Sequence, residues 1–302
     1  MKQFAGRVAV ITGAAGGFGR ELARAGAELG MRLVLADVDS AALDTLKAEL
    51  ESQGAEVLAM RCDVRHGEEV KALADAVMAR FGAVHLLFNN AGVGCGGLVW
   101  EHSEADWEWL IGVNLWGVIH GVRIFTPLML EAAAKDSAYE GHIVNTASVA
   151  GLLNASNMGA YNVTKHAVVS LSETLLHDLR LLDVPIGASL LCPHYVPTGI
   201  HRSERNRPEA LRNRAEPTAS QAVSRLLTEK AVRSGKLTAA QVAQLTFDAV
   251  RENRFYIHTH PEMLAAVEAR MEDIVHERMP RDPLELDPRA KALLQARLRP
   301  KQ

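Results

Sequence analysis

The run Val8–Thr12 carries no charge and leads directly into Gly13-Ala14-Ala15-Gly16-Gly17-Phe18-Gly19, after which the pattern turns helical to about Leu29. A strand, a glycine-rich turn and a helix in that order leave few folds open. Glycine lets the backbone turn tightly and lets an anion approach the main chain, and the first turn of a helix offers N–H groups without intrahelical partners. Those are the requirements of a phosphate cradle. The strand is apolar on both faces, as in a sheet covered by helices on both sides.

The same alternation continues. Further strands are expected at Arg32–Asp37, Val57–Asp63, His85–Phe88, His142–Thr146, Ile186–Leu191 and Phe255–Ile257. Helices are expected from an N-cap at Ser40 to Glu51, and over residues 68–80, 105–134, 161–182 and 238–252. Residues 199–235 read as irregularly helical. The tail from Pro261 reads as helix broken by Pro280, Pro283 and Pro288. Alternating β and α predicts a Rossmann-type, doubly wound parallel α/β sheet of about seven strands with helices on both faces. No linker, repeat or low-complexity run interrupts it. The expectation is therefore one domain over 1–302, with 199–235 as a substrate lid and 261–302 as a C-terminal extension.

A net charge of −3 gives no basis for a nucleic-acid or anionic-membrane partner. No apolar run reaches the roughly 20 residues of a bilayer span, and the start of the chain lacks a signal-peptide pattern. Cys62, Cys95 and Cys192 are scattered and odd in number, so they read as reduced core thiols and the expected location is cytoplasmic.

Asp37 ends the second strand 18 residues past Gly19, where a carboxylate accepts from the ribose hydroxyls of NAD and repels the 2′-phosphate of NADP. No Arg or Lys stands at Gly16, Val38 or Ser40 to offset it. Tyr161 and Lys165 are four apart in a helical segment and share one face. Ser148 lies 13 residues before Tyr161, just past a strand.

With these residues the chain resembles the short-chain dehydrogenase/reductase family, in the single-domain branch with a TGxxxGxG turn and a YxxxK pair. The resemblance covers about residues 5–260. It implies a catalytic tetrad of Asn114, Ser148, Tyr161 and Lys165. It implies cofactor contacts at Gly13, Gly17, Phe18, Gly19, Asp37, Asp63, Val64, Asn90, Tyr161, Lys165, Pro193, Val196 and Thr198. Within these, Asp63 matches the adenine-contacting Asp, Asn89-Asn90-Ala91-Gly92 the segment that stabilises the central sheet, and Thr198 the residue at the nicotinamide carboxamide. A free phenol has a pKa near 10. Lys165 and the positive nicotinamide ring together are expected to draw that of Tyr161 towards neutrality, while Asn114 positions a relaying water.

His194 departs from the family, which usually has Gly after this Pro. It either lines the substrate pocket or packs beside the cofactor. The glycine-rich segment Val93–Leu98 suggests room for a bulky substrate, and Val93, Leu98, Leu152, Leu153 and Met158 suggest an apolar one. Leu98, Leu153, Met158 and His194 are thus the candidate substrate contacts. Trp107 and Trp109 read as packing, and Trp100 as either a substrate neighbour or an exposed group. Arg202, Arg205, Arg207, Arg212 and Arg214 read as a solvated helix face in preference to an anion-recognising lid. His258 and His260 lack a third ligand at sensible spacing, so no metal is expected.

The function expected is an NAD-dependent oxidoreductase that interconverts a largely apolar, bulky secondary alcohol and its ketone. The competing readings are a non-redox lyase such as a halohydrin dehalogenase, a sugar-nucleotide epimerase, and a non-catalytic cofactor-binding regulator. The lyase lacks the dinucleotide glycines and carries Arg in place of Lys165, the epimerase has another glycine spacing, and the regulator loses Tyr or Lys. Apolar patterning in 105–130 and 161–182 exceeds what one sheet face covers, which suggests a homodimer or homotetramer.

Overall fold

Seven strands line up in one sheet in a computed structural model that describes residues 1–298. The last four residues of the expected C-terminal extension lie outside the described residues. The strands are β1 (Val8–Thr12), β2 (Arg32–Asp37), β3 (Val57–Arg61), β4 (Leu86–Asn89), β5 (Gly141–Thr146), β6 (Ile186–Cys192) and β7 (Tyr256–His258), in the order 3-2-1-4-5-6-7. Every neighbouring pair is parallel, for example Ile11 beside both Leu35 and Phe88. Strand order reverses between β1 and β4, so the connections leave these two strands on opposite sides and open a crevice at their carboxyl ends.

The helices are α1 (Gly17–Glu28), α2 (Ser40–Ser52), α3 (Gly67–Phe81), α4 (Glu104–Ile111), α5 (Gly117–Lys135), α6 (Gly159–Leu181), α7 (Ala219–Arg233), α8 (Ala239–Glu252), α9 (Leu264–Val275) and α10 (Pro288–Leu298). One core lies under α1, α2 and α8, where Phe247 packs edge-on against Phe4 and Phe88. The other lies under α3, α5 and α6, around Leu73, Phe125, Met129 and Leu175. The sheet is apolar on both faces because it is buried on both.

Several expected boundaries shift, each for a local reason. Asp39, not Ser40, caps α2, because its carboxylate accepts from the Ala42 N–H at 3.1 Å. β3 stops at Arg61, because the Asp63 N–H turns away to the Glu69 carboxylate at 2.8 Å. β4 starts after His85, whose ring takes the Val8 N–H at 3.2 Å.

The long helix expected over 105–134 is interrupted by a π-turn, Gly112–Trp116, where the Gly117 N–H reaches back to Gly112 O. Glycines flank it because the helix presses on the loop after β3. A Cβ at Gly112 would stand 3.1 Å from Arg65, and one at Gly117 would stand 2.7 Å from Val64. The combined stretch Glu104–Lys135 has an 18-residue window of mean hydropathy 1.2, which by length and composition alone would also suit a membrane-crossing helix. In the fold this stretch contributes Phe125 and Met129 to the core beneath α3 and α5.

Candidate active site

A cavity of about 1430 Å³ runs from the carboxyl ends of the strands towards the C-terminal segment. One drug-sized ligand occupies a site of about 300–1,000 Å³, so this volume accommodates two ligands side by side.

At one end stands the glycine turn. Thr12 Oγ1 accepts from the Asn90 and Ala91 N–H groups at 3.0 and 3.1 Å, and Asn90 Nδ2 donates to Thr12 O at 2.9 Å. These bonds tie the ends of β1 and β4 across the switch point. Gly13, at φ +66°, lies so close to the next segment that a Cβ would stand 2.7 Å from Ala91 Cα. Gly19 does not reach the cavity, contrary to expectation. A Cβ there would collide with the Gly13 carbonyl, so this glycine serves the close packing of α1 on the turn. Gly16, unforeseen as a site residue, faces open space and precedes a helix whose first N–H groups have no side-chain cap. Gly17, at φ +52°, stands opposite Thr198. Bare glycine backbone at an uncapped helix start fits a pyrophosphate.

Asp37 closes this end. Its carboxylate accepts from the Ala15 N–H at 2.9 Å and the Asp39 N–H at 3.0 Å, and burial raises its pKa. Asp63 is gripped by Arg65, with Arg65 Nη2 at 2.7 Å. Burial alone would push Asp63 upward, but the guanidinium beside it outweighs that and the pKa is lowered. Phe18, Val64, Asn90, Pro193, Val196 and Thr198 also line the cavity, as do Cys62 and Arg65, which the sequence reading did not single out.

Ser148, Tyr161 and Lys165 meet at the middle. Ser148 caps a short 3₁₀ turn through the Ala150 N–H and donates from Oγ to Pro193 O at 3.2 Å. Tyr161 and Lys165 project from the same face of α6, with Lys165 Nζ 5.7 Å from the Tyr161 ring centre. Nζ donates to Thr146 O at 2.9 Å. A Cβ at Gly92 would lie 3.5 Å from Asn114 Oδ1 and 3.7 Å from Lys165 Nζ, so those two groups flank the same glycine. The Asn114 amide, inside the π-turn, is engaged by the Val93 main chain at 2.8 and 3.0 Å and by Thr164 at 3.2 Å.

The protein's own groups, without a bound nicotinamide, hold Tyr161 above the ordinary phenol value. Burial pushes the phenol up to about 12, with the Ser148 hydroxyl pulling the other way, and burial pulls Lys165 down to about 8. Desolvation penalises both charged forms and is the largest cause of each shift.

Beyond Tyr161 the cavity is walled by Val93, Trp109, Leu153, Met158 and His194, and then by Leu284 and Leu294 from the C-terminal segment. Of the expected contacts, Leu98 does not line this cavity, and its N–H donates to Ser220 Oγ at 2.9 Å; Leu152, also expected along the pocket, faces a separate groove of about 400 Å³ beside Tyr256 and His258. Trp100 is 76% exposed, whereas Trp109 is buried and borders the cavity. His258 and His260 face different cavities.

Of the glycines in 94–97, Gly94 and Gly96 line the cavity and Gly97 does not. A Cβ at Gly96 would overlap the Ser224 hydroxyl, and one at Gly97 would stand 2.8 Å from Gln221, so α7 takes the space. A polar seam joins these parts. The Gly94 N–H donates to Ser203 Oγ at 3.0 Å, and Glu101 accepts from the Thr218 and Ser220 hydroxyls at 2.5 Å. Arg207 is not the solvated cation expected. It is buried, its Nη1 is 2.7 Å from Asp106, its guanidinium lies 4.9 Å from the Trp109 ring centre, and Asn213 also donates to Asp106 at 2.9 Å. Burial would raise the Asp106 pKa, yet the neighbouring His102 and Arg207 hold it far below the usual carboxylate range.

The short chain dehydrogenase family model matches residues 7–209. The chain is 32% identical over 283 residues to the CLA biosynthesis dehydrogenase/reductase of Lactiplantibacillus plantarum, covering 93% of this chain and 97% of that one. It is 31% identical over 289 residues to the C alpha-dehydrogenase of a Sphingobium species, covering 95% and 90%. The crystal structure of a short chain dehydrogenase/reductase from Burkholderia phymatum in complex with NAD superposes with a TM-score of 0.91 at 59% identity, covering 94% of this chain and 99% of that one. The chain belongs to the short-chain dehydrogenase/reductase family of oxidoreductases.

Removing one partner of a buried ion pair strands the other charge. Arg207→Ala is expected to destabilise the fold by about 3–5 kcal/mol, read as a lower urea midpoint. The Asp106 pKa is depressed in the fold, so the pair's contribution is complete above the unfolded carboxylate value of about 3.9 and is lost on acidification. An unchanged midpoint would mean the pair is not a buried one.

Proposed function

We propose that this protein is an NAD-dependent dehydrogenase/reductase that interconverts a bulky, largely apolar secondary alcohol and its ketone, with Tyr161 as the acid/base. The observation that carries the reading is the placement of Ser148, Tyr161 and Lys165 between a glycine-and-Asp37 end and an apolar end of one cavity. The NAD bound by the Burkholderia relative supports the choice of cofactor. Asp37, with Val38 and Ser40 following it instead of a cation, favours NAD over NADP.

When bound, the dinucleotide supplies or accepts the hydride and, in its oxidised form, adds a positive charge to the site. The chain's own residues do the rest. Ser148 holds the substrate oxygen beside Tyr161. In the reductive direction Tyr161 carries its proton at neutral pH and gives it to the forming alkoxide. In the oxidative direction it takes the carbinol proton, and Lys165, cationic below about 8, lowers the cost of the phenolate. Lys165 also binds the nicotinamide ribose. Asn114 keeps the loop after β4 beside Lys165 and is the residue we assign to the water that returns the proton to solvent. Gly13, Gly17, Phe18, Val64, Asn90, Pro193, Val196 and Thr198 hold the cofactor, and Asp63 its adenine end. Leu153, Met158 and His194 contact the substrate.

Residues 1–302 form one catalytic domain in this reading. Residues 199–235 are its substrate lid and 261–302 a C-terminal extension, of which Leu284 and Leu294 line the far end of the cavity. The protein acts in the cytoplasm as a homodimer or homotetramer through α5 and α6. A monomer in light scattering at micromolar concentration removes the oligomer.

Tyr161→Phe is expected to lower kcat by about 10²–10⁴-fold while NADH still binds, as followed by its fluorescence. Retained turnover overturns the assignment of Tyr161. Asp37→Ala is expected to raise kcat/KM with NADP relative to NAD. A constant ratio takes Asp37 off the ribose.

A further inference from the structure

The steps above place His194 against the substrate but leave open what it, and the wall of the cavity where β6 and β7 end, recognises there. His194, Tyr195, Thr259 and His260 come together there because those strands are neighbours in the sheet. The His194 and His260 rings are 5.4 Å apart, edge to face, and the His194 and Tyr195 rings are 4.6 Å apart. Thr259 holds the group in place. Its Oγ1 lies 2.7 Å from His260 Nδ1 and accepts from the His194 N–H at 3.4 Å. The ring nitrogens of His194 have no hydrogen-bond partner among the described residues, and they are not sealed inside the protein either. They open on the cavity.

The cluster lies beside the reacting groups. His194 follows Pro193, whose carbonyl accepts from the Ser148 hydroxyl, and Tyr195 is near enough to raise the pKa of Tyr161. Burial, with His260 adding to it, pushes His194 down to about 4, so its imidazole is neutral and offers one donor and one acceptor. Glu262 stands on the same side and disfavours an anion there. The ring faces and edges of Tyr195, His194 and His260 suit an aromatic partner.

We propose that this wall is a specificity subsite for a neutral oxygen function, a hydroxyl or ether, carried a few bonds from the reacting carbinol. The preferred substrate is then an aromatic secondary alcohol or ketone that is apolar apart from this second oxygen. The inference rests on the hydride-transfer reading above. It makes His194 the residue that distinguishes an oxygenated substrate from its plain analogue.

The test measures kcat/KM for NAD reduction with three benzylic secondary alcohols of equal length, whose side chains end in methyl, hydroxymethyl or carboxylate. Wild type is expected to favour the hydroxymethyl compound over the methyl one by about tenfold, the worth of one good hydrogen bond. His194→Phe should bring that ratio close to one, and His194→Gln, which keeps a donor and an acceptor, should retain most of it. NADH fluorescence titration establishes that each variant is folded. If His194→Phe fails that titration, His260→Phe, which removes the neighbouring imidazole, should lower the same ratio. A ratio that survives these Phe substitutions overturns the subsite. So does a wild-type preference for the carboxylate compound, which would assign recognition to the exposed rim cations Lys230 and Arg289. Wild type that turns over the methyl compound but fails these ratios leaves the hydride-transfer reading standing. Wild type silent on all three with both NAD and NADP overturns that reading together with the subsite.

Discussion

The tie between the ends of β1 and β4 is the constraint from which the site is built. Two parallel strands whose connections leave in opposite directions would splay at their carboxyl ends. Here the Thr12 hydroxyl accepts from the Asn90 and Ala91 N–H groups and the Asn90 side-chain amide donates to the Thr12 carbonyl. The crevice therefore opens only above that point. The glycine turn sits on one side of the tie, Gly92 and Val93 on the other, and Asn114 reaches down from the π-turn to hold Val93. Asn89 continues the arrangement into the core, donating to Asn145, which donates to Ser172 on α6. The helix that carries Tyr161 and Lys165 is thus bonded to the strands that carry the glycine turn. A buried polar network of this kind rigidifies because each unpaired member would be costly.

The substrate end is organised differently. Its polar groups do not extend the sheet but stitch a loop, 94–106, to a segment more than a hundred residues later. Ser203, Thr218, Ser220 and Arg207 supply the stitches. The glycines at 96 and 97 let α7 approach closely, and Gly96 lines the cavity at the same time. The walls of the substrate end are consequently formed within the chain itself, with Leu284 and Leu294 of the tail completing them.

The electrostatics of Tyr161 and Lys165 show what proximity alone does not deliver. A tyrosine and a lysine one helical turn apart suggest a mutual shift towards phenolate and ammonium. Both are almost fully buried, and desolvation drives them the other way, to about 12 and about 8. The protein alone thus keeps the phenol protonated at neutral pH, beside an ammonium that is charged but close to its own titration.

Elements whose signal is local were legible from the residues. The seven strands, the glycine turn, Asp37 at the end of β2, and the spacing of Ser148, Tyr161 and Lys165 follow from periodicities of two and about four and from residue types with narrow conformational or chemical roles. Even there the ends moved by a residue or two, because a cap such as Asp39 or a turn bond such as Asp63 to Glu69 decides them. What distant segments do to one another was not legible. That Ser224 presses on Gly96, that Leu98 is off the cavity wall beside Ser220, and that Arg207 is buried against Asp106 each depend on a partner far along the chain. A side chain's surroundings are set by which surfaces the sheet order brings together. The sequence by itself determined the alternating α/β fold and the residues at its strand ends. The tertiary structure alone decided which of them share the cavity, because burial and desolvation are properties of the packed whole.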